Sequence, residues 1–285
     1  MATELELKLS LRQPALFLRQ PLLRQAQWLG RQQLHNIYFD TPTLALQRRG
    51  IALRLRRQGR RWLQTVKCSG AGAAGLSSRP EWETPYGGAF DFSAVSDPEV
   101  RRWLSRPALQ AQLQPCFTTH FQRSSWRLSE RPLGTPSSLL LVLDRGHISV
   151  GERHERILEL ELELEHGAVD HLFATALALA AQQALLPLSA SKAQRGYALA
   201  AAVNAASGTS ARSAASRAST QRRKPQALAP DADWRLTLLA CVEQLVALQA
   251  DDPAAPEALR TALRSPAYSR LLLRLCALGH IVTLA

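Results

Sequence analysis

Cysteine is scarce in this chain, and the few cysteines that occur follow no framework. The sequence has four cysteines, at positions 68, 116, 241 and 276, without a C-x-x-C spacing. A dense disulfide scaffold is therefore excluded, and buried free thiols in a reducing cytosol are expected. The seven histidines show neither an H-x-x-x-H spacing nor a pairing with cysteine, so the sequence predicts no zinc site.

Long apolar runs and a secretory leader are also missing. The longest apolar stretch, residues 172–186, is interrupted by Gln182 and Gln183 and is shorter than a bilayer span. The opening residues MATELELKLS carry acids where a signal peptide carries basic residues. With 46% apolar and 20% charged residues, the chain can bury a core. We therefore expect a soluble cytoplasmic protein that has no membrane partner.

Lysine is the scarcest of the common charged residues, although the chain is basic. The net charge is +12, with 35 Lys and Arg against 23 Asp and Glu, and only four of the 35 are lysines. The excess predicts an anionic partner, such as nucleic acid, an acidic membrane surface or a phosphate-rich small molecule. Three lysines, Lys8, Lys67 and Lys192, lie in strongly patterned segments, which indicates that a compact ammonium group is needed there.

Residues 1–203 alternate between apolar and charged positions. In residues 4–11, leucines occupy one face of the predicted strand, while Glu4, Glu6, Lys8 and Ser10 occupy the other. Similar patterns predict strands over residues 36–39, 51–58, 62–68, 80–86, 117–128, 138–144, 147–151 and 157–165. Helices are predicted over residues 13–29, 170–186 and 191–202, the last beginning at a serine cap.

The charged strand faces suggest where the functional site lies. In an ordinary half-buried sheet such faces are solvated. Here, however, the apolar stripes of several helices must cover the leucine faces, and the charged faces would then turn inward. About eight antiparallel strands can close into a barrel whose lumen holds one small ligand. A lumen lined by both carboxylates and cations suits a polyphosphate with its divalent metal, whereas cations interleaved with acids form no basic patch for nucleic acid.

The C-terminal third has a different composition. Residues 204–230 contain no acid and carry +5 from one lysine and four arginines, which predicts a flexible basic linker. Residues 231–285 are helical in pattern, with predicted helices over residues 234–249, 257–263 and 268–284.

The ordered motifs of residues 1–203 resemble those of the CYTH, or triphosphate tunnel metalloenzyme, superfamily. They are E-x-E-x-K at 4–8, NIYFDTP at 36–42, ALRLR at 52–56, TVK at 65–67, RPE at 79–81, Arg123, Leu143-Asp144 with Gly146, the Glu-Leu-Glu strand and SKAQRGY at 191–197. The resemblance implies an α+β fold, with an eight-stranded antiparallel closed β-barrel, flanking helices and a small all-helical C-terminal segment. It is closest to bacterial inorganic triphosphatases in which a CYTH domain precedes a helical CHAD domain.

The resemblance implies an enzyme that hydrolyses inorganic triphosphate, or a related polyphosphate, with Mg²⁺ or Mn²⁺. The implied metal ligands are Glu4, Glu6, Asp144, Glu161 and Glu163. The implied triphosphate-binding residues are Lys8, Arg54, Arg56, Lys67, Arg123, Lys192 and Arg195. Lys8 or Lys67, with a lowered pKa, would polarise the attacking water, and Glu81 would orient a cation or that water.

Several alternatives stay open at this point. Glu159 and Glu165 share the face of the implied metal ligands, and Glu165 is expected at the open end of the lumen. The sequence GAGAAG at 70–75 formally matches a dinucleotide-binding pattern, but a strand follows it, so we predict a hairpin loop. Nucleoside or thiamine triphosphates, class IV adenylyl cyclase chemistry and non-catalytic polyphosphate binding are the functional alternatives.

Residues 231–285 resemble two pieces of a CHAD domain, at Asp233-Trp234 and at residues 265–273, and little of the sequence between those pieces is present. This truncated segment would pack on the barrel, self-associate or be a vestige. A stable independent core of that size is not expected.

Overall fold

The computed structural model describes residues 3–69, 71–73, 76–130, 136–188, 190–206, 261 and 264–284. Within these ranges, the side chains of residues 3, 4, 71–73, 79, 130, 206 and 278–284 lie outside the description. The linker predicted over residues 204–230 lies outside the described residues from residue 207 onward, and its first three residues are helical. The predicted helix over residues 234–249 and, apart from residue 261, the one over residues 257–263 also lie outside the description.

The described residues form an α+β fold built on one curled antiparallel sheet. The strands are β1 (Thr3–Leu11), β2 (Gln27–Asp40), β3 (Ile51–Gln58), β4 (Arg61–Cys68), β5 (Ala71–Ala73), β6 (Leu76–Pro85), β7 (Gln114–Glu130), β8 (Ser137–Val150), β9 (Arg153–His166) and β10 (Leu185–Pro187). The helices are α1 (Pro14–Leu18), a 3-10 helix (Pro21–Arg24), α2 (Ala45–Arg48), α3 (Pro98–Leu104), α4 (Pro107–Gln110), α5 (Val169–Leu179), α6 (Lys192–Ala206) and α7 (Pro266–Leu284).

The strand order is β10-β1-β9-β8-β7-β2-β3-β4-β6-β5, and β1 also pairs with β6. Because β1 bonds to β9 through Glu6–Ser10 and to β6 through Thr3–Leu7, the sheet curls back toward its own first strand. None of the helices among the described residues has the length and apolar character needed to cross a bilayer.

The sequence patterns predicted the strands of the sheet well and the helices less well. The strand over 51–58 is confirmed, and the two strands predicted over 138–144 and 147–151 are one continuous strand, β8. The predicted helix over 13–29 was wrong: α1 and the 3-10 helix are short, and β2 begins at Gln27. The predicted helix over 170–186 ends at Leu179, because Leu185–Pro187 pair with β1 instead.

The leucine faces of the strands are buried under helices, as the sequence indicated. Leu7 and Leu9 of β1 share one core with leucines of β8 and β9 and with apolar residues of α5 and α7. The backbone N–H of Leu185 in β10 donates a 3.0 Å hydrogen bond to the hydroxyl oxygen of Ser269 in α7. The helix α7 therefore packs against the sheet, and the opposite, charged face of β1 points away from this core.

A glycine on β8 marks a place where two strands approach too closely for a side chain. A Cβ added at Gly146 would overlap the carbonyl oxygen of His120 and lie 2.5 Å from the Cα of Phe121. We expect Gly146→Ala to lower the free energy of unfolding by about 1–3 kcal/mol, because backbone atoms must move to accept the methyl group. Denaturant titration measures the effect. Gly87→Ala is the control, because an added Cβ there meets no atom within 4 Å, and an unchanged midpoint in both variants would contradict the prediction.

Candidate functional site

The inner face of the curled sheet encloses a cavity of about 370 Å³. Its charged lining residues are Glu6, Lys8, Arg54, Arg56, Lys67, Glu81, Arg123, Glu161 and Lys192. These side chains come from β1, β3, β4, β6, β7, β9 and α6, so residues far apart in sequence meet in one volume. The predicted inward turn of the charged faces is therefore observed at the described side chains, and the volume is that of a small-molecule site.

Three carboxylates form an acidic cluster on β8 and β9. Asp144, Glu159 and Glu161 each place one oxygen within 4.8 Å of the others, and all three side chains are buried. Asp144 and Glu159 are direct partners in the strand register, so the sheet itself fixes their separation. Clustered hard oxygen donors of this kind are what Mg²⁺ and Mn²⁺ bind, so the donor set fits a divalent cation.

The acidic cluster surrounds the ammonium group of Lys192, at the beginning of α6. Lys192 Nζ lies 2.7 Å from Asp144 Oδ2 and 3.0 Å from Glu161 Oε1, and it also contacts Glu159. Burial lowers the pKa of Lys192, but the three carboxylates outweigh burial and hold the pKa above its ordinary value. Ser191 and Gln194 fix this helix start, because each accepts the backbone N–H of the other, at 2.8 and 3.2 Å.

Arg123 binds the same cluster from β7. Its guanidinium grips Asp144 through two hydrogen bonds of 2.8 and 2.7 Å and donates a third, of 2.8 Å, to Glu161. Burial opposes the charge of Arg123, yet Asp144 and Glu161 raise its pKa well above the ordinary value. Burial also opposes the charge of Glu161, but Lys192 and Lys8 lower its pKa well below the ordinary value. Burial raises the pKa of Glu159 despite its contact with Lys192.

Glu6 and Lys8 extend the cluster along β1. Lys8 Nζ lies 3.3 Å from Glu6 Oε1 and 3.5 Å from Glu161 Oε1, and Ser77 donates a 3.0 Å hydrogen bond to Glu6. Burial lowers the pKa of Lys8, but the negative charges around it, those of Glu161 and Glu6 foremost, together raise it by more than burial lowers it, so the net shift is upward. The lowered pKa that the sequence predicted for a water-polarising Lys8 is therefore wrong, because burial among carboxylates stabilises the ammonium form.

A second charged group lies across the cavity on β3, β4 and β6. Lys67 Nζ lies 2.6 Å from Glu81 Oε2, and Arg54 Nη2 lies 3.4 Å from Glu81 Oε1. Arg56 donates a 3.1 Å hydrogen bond to Asn36, and burial with the nearby Arg54 and Arg123 lowers the pKa of Arg56 to about 10. Arg54, Arg56 and Lys67 thus reach the cavity from β3 and β4. The other predicted cations that line it, Lys8, Arg123 and Lys192, lie among the carboxylates.

Three predicted residues lie at the margins of this arrangement. Arg195, one turn after Lys192, binds Glu155 at 2.6 Å and Glu159 at 3.0 Å. Glu163 is half-buried on β9, directly opposite Glu6 in the register. Glu4 lies on β1 opposite Arg79, and its side chain is outside the description.

The structure also shows two features that the sequence left open, Glu165 and the glycine-rich segment at 70–75. Glu165 is exposed and pairs with Arg127, and its expected position at the open end of the lumen stays a prediction. The loop predicted over residues 70–75 was wrong in part, because Ala71–Ala73 form strand β5 and pair with β6. Among the described residues, a strand and not a helix follows this segment.

The sequence interpretation missed Tyr38 and Glu83. Tyr38 is buried, lines the cavity and is the register partner of Arg54. Burial raises the pKa of Tyr38, but the hydrogen-bonded Arg54 outweighs burial and lowers it. Glu83 accepts a 3.0 Å hydrogen bond from Thr65 and lies 3.9 Å from Arg56. Tyr38 shares its two-residue period with Asn36 and Asp40, which is the signal that could have placed it on the inner face.

Comparison with known proteins places these features in a wider context. The chain matches the model of the CYTH domain over residues 2–197. The curated inorganic triphosphatase of Haemophilus influenzae is 32% identical over 203 residues, which are 70% of this chain and 55% of that protein. The chain therefore spans about half the length of this curated relative.

Solved structures show weaker similarity. A putative adenylyl cyclase from Hippeastrum, described as having a dominant triphosphatase activity, is 20% identical, with 68% of this chain and 95% of that chain covered and a TM-score of 0.47. A putative adenylate cyclase from Bacillus halodurans is 23% identical, with 61% and 87% covered and a TM-score of 0.34.

Proposed function

Because this chain belongs to the CYTH family, we propose that it hydrolyses inorganic triphosphate to pyrophosphate and phosphate with the help of a divalent metal ion. The observation that carries the proposal is the pairing of two groups in one cavity. Buried carboxylates of β8 and β9 lie on one side, and cations of β3 and β4 lie on the other. A polyphosphate complements the cations, and a divalent metal can share the carboxylates that Lys192, Arg123 and Lys8 now contact.

We also infer that the sheet is a closed barrel of eight strands. The pairing of β1 with both β9 and β6 supports this, since it completes a ring of neighbours in the order β1-β9-β8-β7-β2-β3-β4-β6. A closed barrel holds the metal-binding and phosphate-binding walls at fixed separation. It would therefore position a triphosphate without a large conformational change.

The proposed metal ligands are the carboxylates gathered on β1, β8 and β9. Asp144 and Glu161 are the central pair, with Glu6 beside them, Glu163 opposite Glu6 and Glu4 further along β1. Glu159 joins the set, because its oxygen lies in the same cluster. When bound, Mg²⁺ or Mn²⁺ would neutralise phosphate oxygens and favour attack at phosphorus. Arg123 and Lys192 hold the carboxylates in place through the contacts described above.

The proposed triphosphate-binding residues act by position and charge. Arg54, Arg56 and Arg123 offer planar forks for phosphate oxygens, and Lys8, Lys67 and Lys192 offer compact ammonium groups. Arg195, one turn after Lys192 in α6, is the last member of the set and contacts Glu159. Phosphoryl transfer needs such positioning and charge neutralisation more than covalent chemistry, so no nucleophilic side chain is required.

The attacking water is assigned to the Lys67–Glu81 pair. Lys8 keeps its proton among carboxylates, so it would donate hydrogen bonds to phosphate oxygens rather than accept a proton from water. Glu81 is a half-buried carboxylate, 2.6 Å from Lys67, and can accept that proton. In the step, the water oxygen bonds to the terminal phosphorus and the bridging P–O bond breaks, so that pyrophosphate leaves.

Phosphate release from tripolyphosphate, ATP and thiamine triphosphate, each with and without Mg²⁺ or Mn²⁺, tests the proposal. We expect release that requires the metal and is fastest with tripolyphosphate. Faster turnover of ATP or thiamine triphosphate, or formation of a cyclic nucleotide, would assign the same cavity to an organic triphosphate. Tight binding of tripolyphosphate without turnover would contradict catalysis and support a polyphosphate-binding module.

A further inference from the structure

Four histidines form a row across neighbouring strands. The histidine row consists of His35 on β2, His120 on β7, His147 on β8 and His154 on β9, with successive ring centres 6.0, 5.8 and 5.3 Å apart. The row gathers four of the seven histidines of the sequence, which are far apart along the chain. No spacing motif announces it, because strand pairing alone brings these residues together.

The histidine row lies on the outer face of the sheet. Phe121, the neighbour of His120 along β7, lines the cavity, and successive residues of a strand point to opposite faces. His120 and His154 are exposed, and His35 and His147 are half-buried. His120 is the direct register partner of both His35 and His147, so the backbone holds these three rings side by side.

The environment of two rings, His35 and His147, favours the form that can bind a metal ion. Burial, His120 and Arg57 lower the pKa of His35, and burial, His154 and His120 lower the pKa of His147. The lowered pKa values favour the neutral imidazole of His35 and His147, which carries a free nitrogen lone pair. His154 Nδ1 lies 2.9 Å from the hydroxyl of Ser149, which orients that ring and leaves its Nε2 for another partner.

We propose that the histidine row is a surface site for a transition-metal ion such as Zn²⁺, Cu²⁺ or Ni²⁺, held by imidazole nitrogens of adjacent strands. Two imidazoles that share one tetrahedral ion, with metal–nitrogen bonds of about 2.0–2.1 Å, have ring centres about 5 Å apart. The observed separations of 5.3–6.0 Å come close to this value. Small side-chain rotations bring a neighbouring pair to that geometry, with water completing the coordination.

The surroundings of the histidine row select the class of metal. Arg57 lies beside His35, and Arg156 is the register partner of His147, so the local charge is positive. A hard cation such as Mg²⁺, which prefers oxygen ligands, gains nothing there. Zn²⁺, Cu²⁺ and Ni²⁺ bond strongly to imidazole nitrogen and can offset this repulsion. The row is thus chemically distinct from the carboxylate cluster inside the cavity.

Equilibrium dialysis of the full chain against Zn²⁺, in the presence of excess Mg²⁺ to compete for the cavity carboxylates, tests the proposal. We expect at least one Zn²⁺ to remain bound. His120→Gln and His147→Gln should each weaken Zn²⁺ binding by at least about tenfold. Loss of a residue that only hydrogen-bonds to a metal ligand already lowers affinity by about 10–100-fold, and loss of the ligand itself should cost no less.

His166→Gln is the matched control. His166 is an exposed histidine at the end of β9, outside the row, with its Nε2 3.0 Å from the carbonyl oxygen of Pro136. It should leave Zn²⁺ binding unchanged, and thermal melting should show that all three variants are folded. Zn²⁺ binding that is equal in the wild type and both row variants, or that excess Mg²⁺ abolishes, would overturn the proposal.

Discussion

Glu161→Gln is expected to lower metal-dependent hydrolysis of tripolyphosphate by at least about 10²-fold. Glu161 is buried and contacts Lys8, Lys192 and Arg123 at 3.5, 3.0 and 2.8 Å. Its carboxylate therefore lies where the acidic cluster meets three cations. An amide in its place keeps the shape but removes one negative charge, so the proposed metal would bind more weakly and Lys8, Lys192 and Arg123 would each lose one of their carboxylate partners.

Steady-state kinetics over a range of Mg²⁺ and Mn²⁺ concentrations measure this effect. If Glu161 binds the metal, the variant should need more metal for half-maximal rate, beyond any loss at saturation. Glu165→Gln is the matched control, because Glu165 lies on the same face of β9 but is exposed and pairs with Arg127. Equal rates in the wild type and Glu161→Gln would remove Glu161 from the metal site, and equal losses in both variants would show that the effect is not local.

The inner face of the sheet could be predicted from the sequence because successive side chains of a strand point to opposite faces, so residues two apart share a face. Lys8 and Glu161, or Lys67 and Glu81, occupy charged positions of their own strands, and the register makes each of these pairs direct neighbours. When several strands each carry a charged face, these faces can line one cavity only if the strands lie side by side in one sheet. The charged lining residues of β1, β3, β4, β6 and β9 therefore follow from this alternation, whereas Arg123 and Lys192 were indicated only by the resemblance to the CYTH motifs.

Cross-strand neighbours and short helices could not be predicted in the same way. The residues 13–29 contain enough leucine and glutamine to favour a helix, but their last residues pair with β7 as part of β2. Tertiary pairing overrode local propensity there. The histidine row was missed for a related reason, since a site that is spread over four strands leaves no spacing in the sequence. The pairing of Lys192 with the acidic cluster likewise depends on where α6 meets the sheet.

Lys192→Met is expected to lower the free energy of unfolding of the metal-free protein by about 3–5 kcal/mol, because it removes one compensating charge from a cluster of three buried carboxylates. Lys192 contacts Asp144, Glu159 and Glu161, all of which are buried. Methionine keeps an apolar side chain near the ring of Phe121, which lies 5.0 Å from the ammonium of the wild type. The loss therefore reports charge compensation rather than a cavity, and the melting temperature should fall by about 10 °C or more.

Divalent metal should restore much of the stability of Lys192→Met. If Mg²⁺ or Mn²⁺ binds the same carboxylates, it supplies the positive charge that Lys192 supplied, and binding to the folded state raises the melting temperature by mass action. The rise should be larger in the variant than in the wild type, where the ammonium already neutralises the cluster. Arg127→Met, which breaks the exposed pair with Glu165, should change stability little, because exposed ion pairs are screened by water, and it should show no added metal response. Equal metal-induced shifts in the wild type and Lys192→Met would mean that the ammonium and the metal do not share these carboxylates, and would separate the acidic cluster from the proposed metal site.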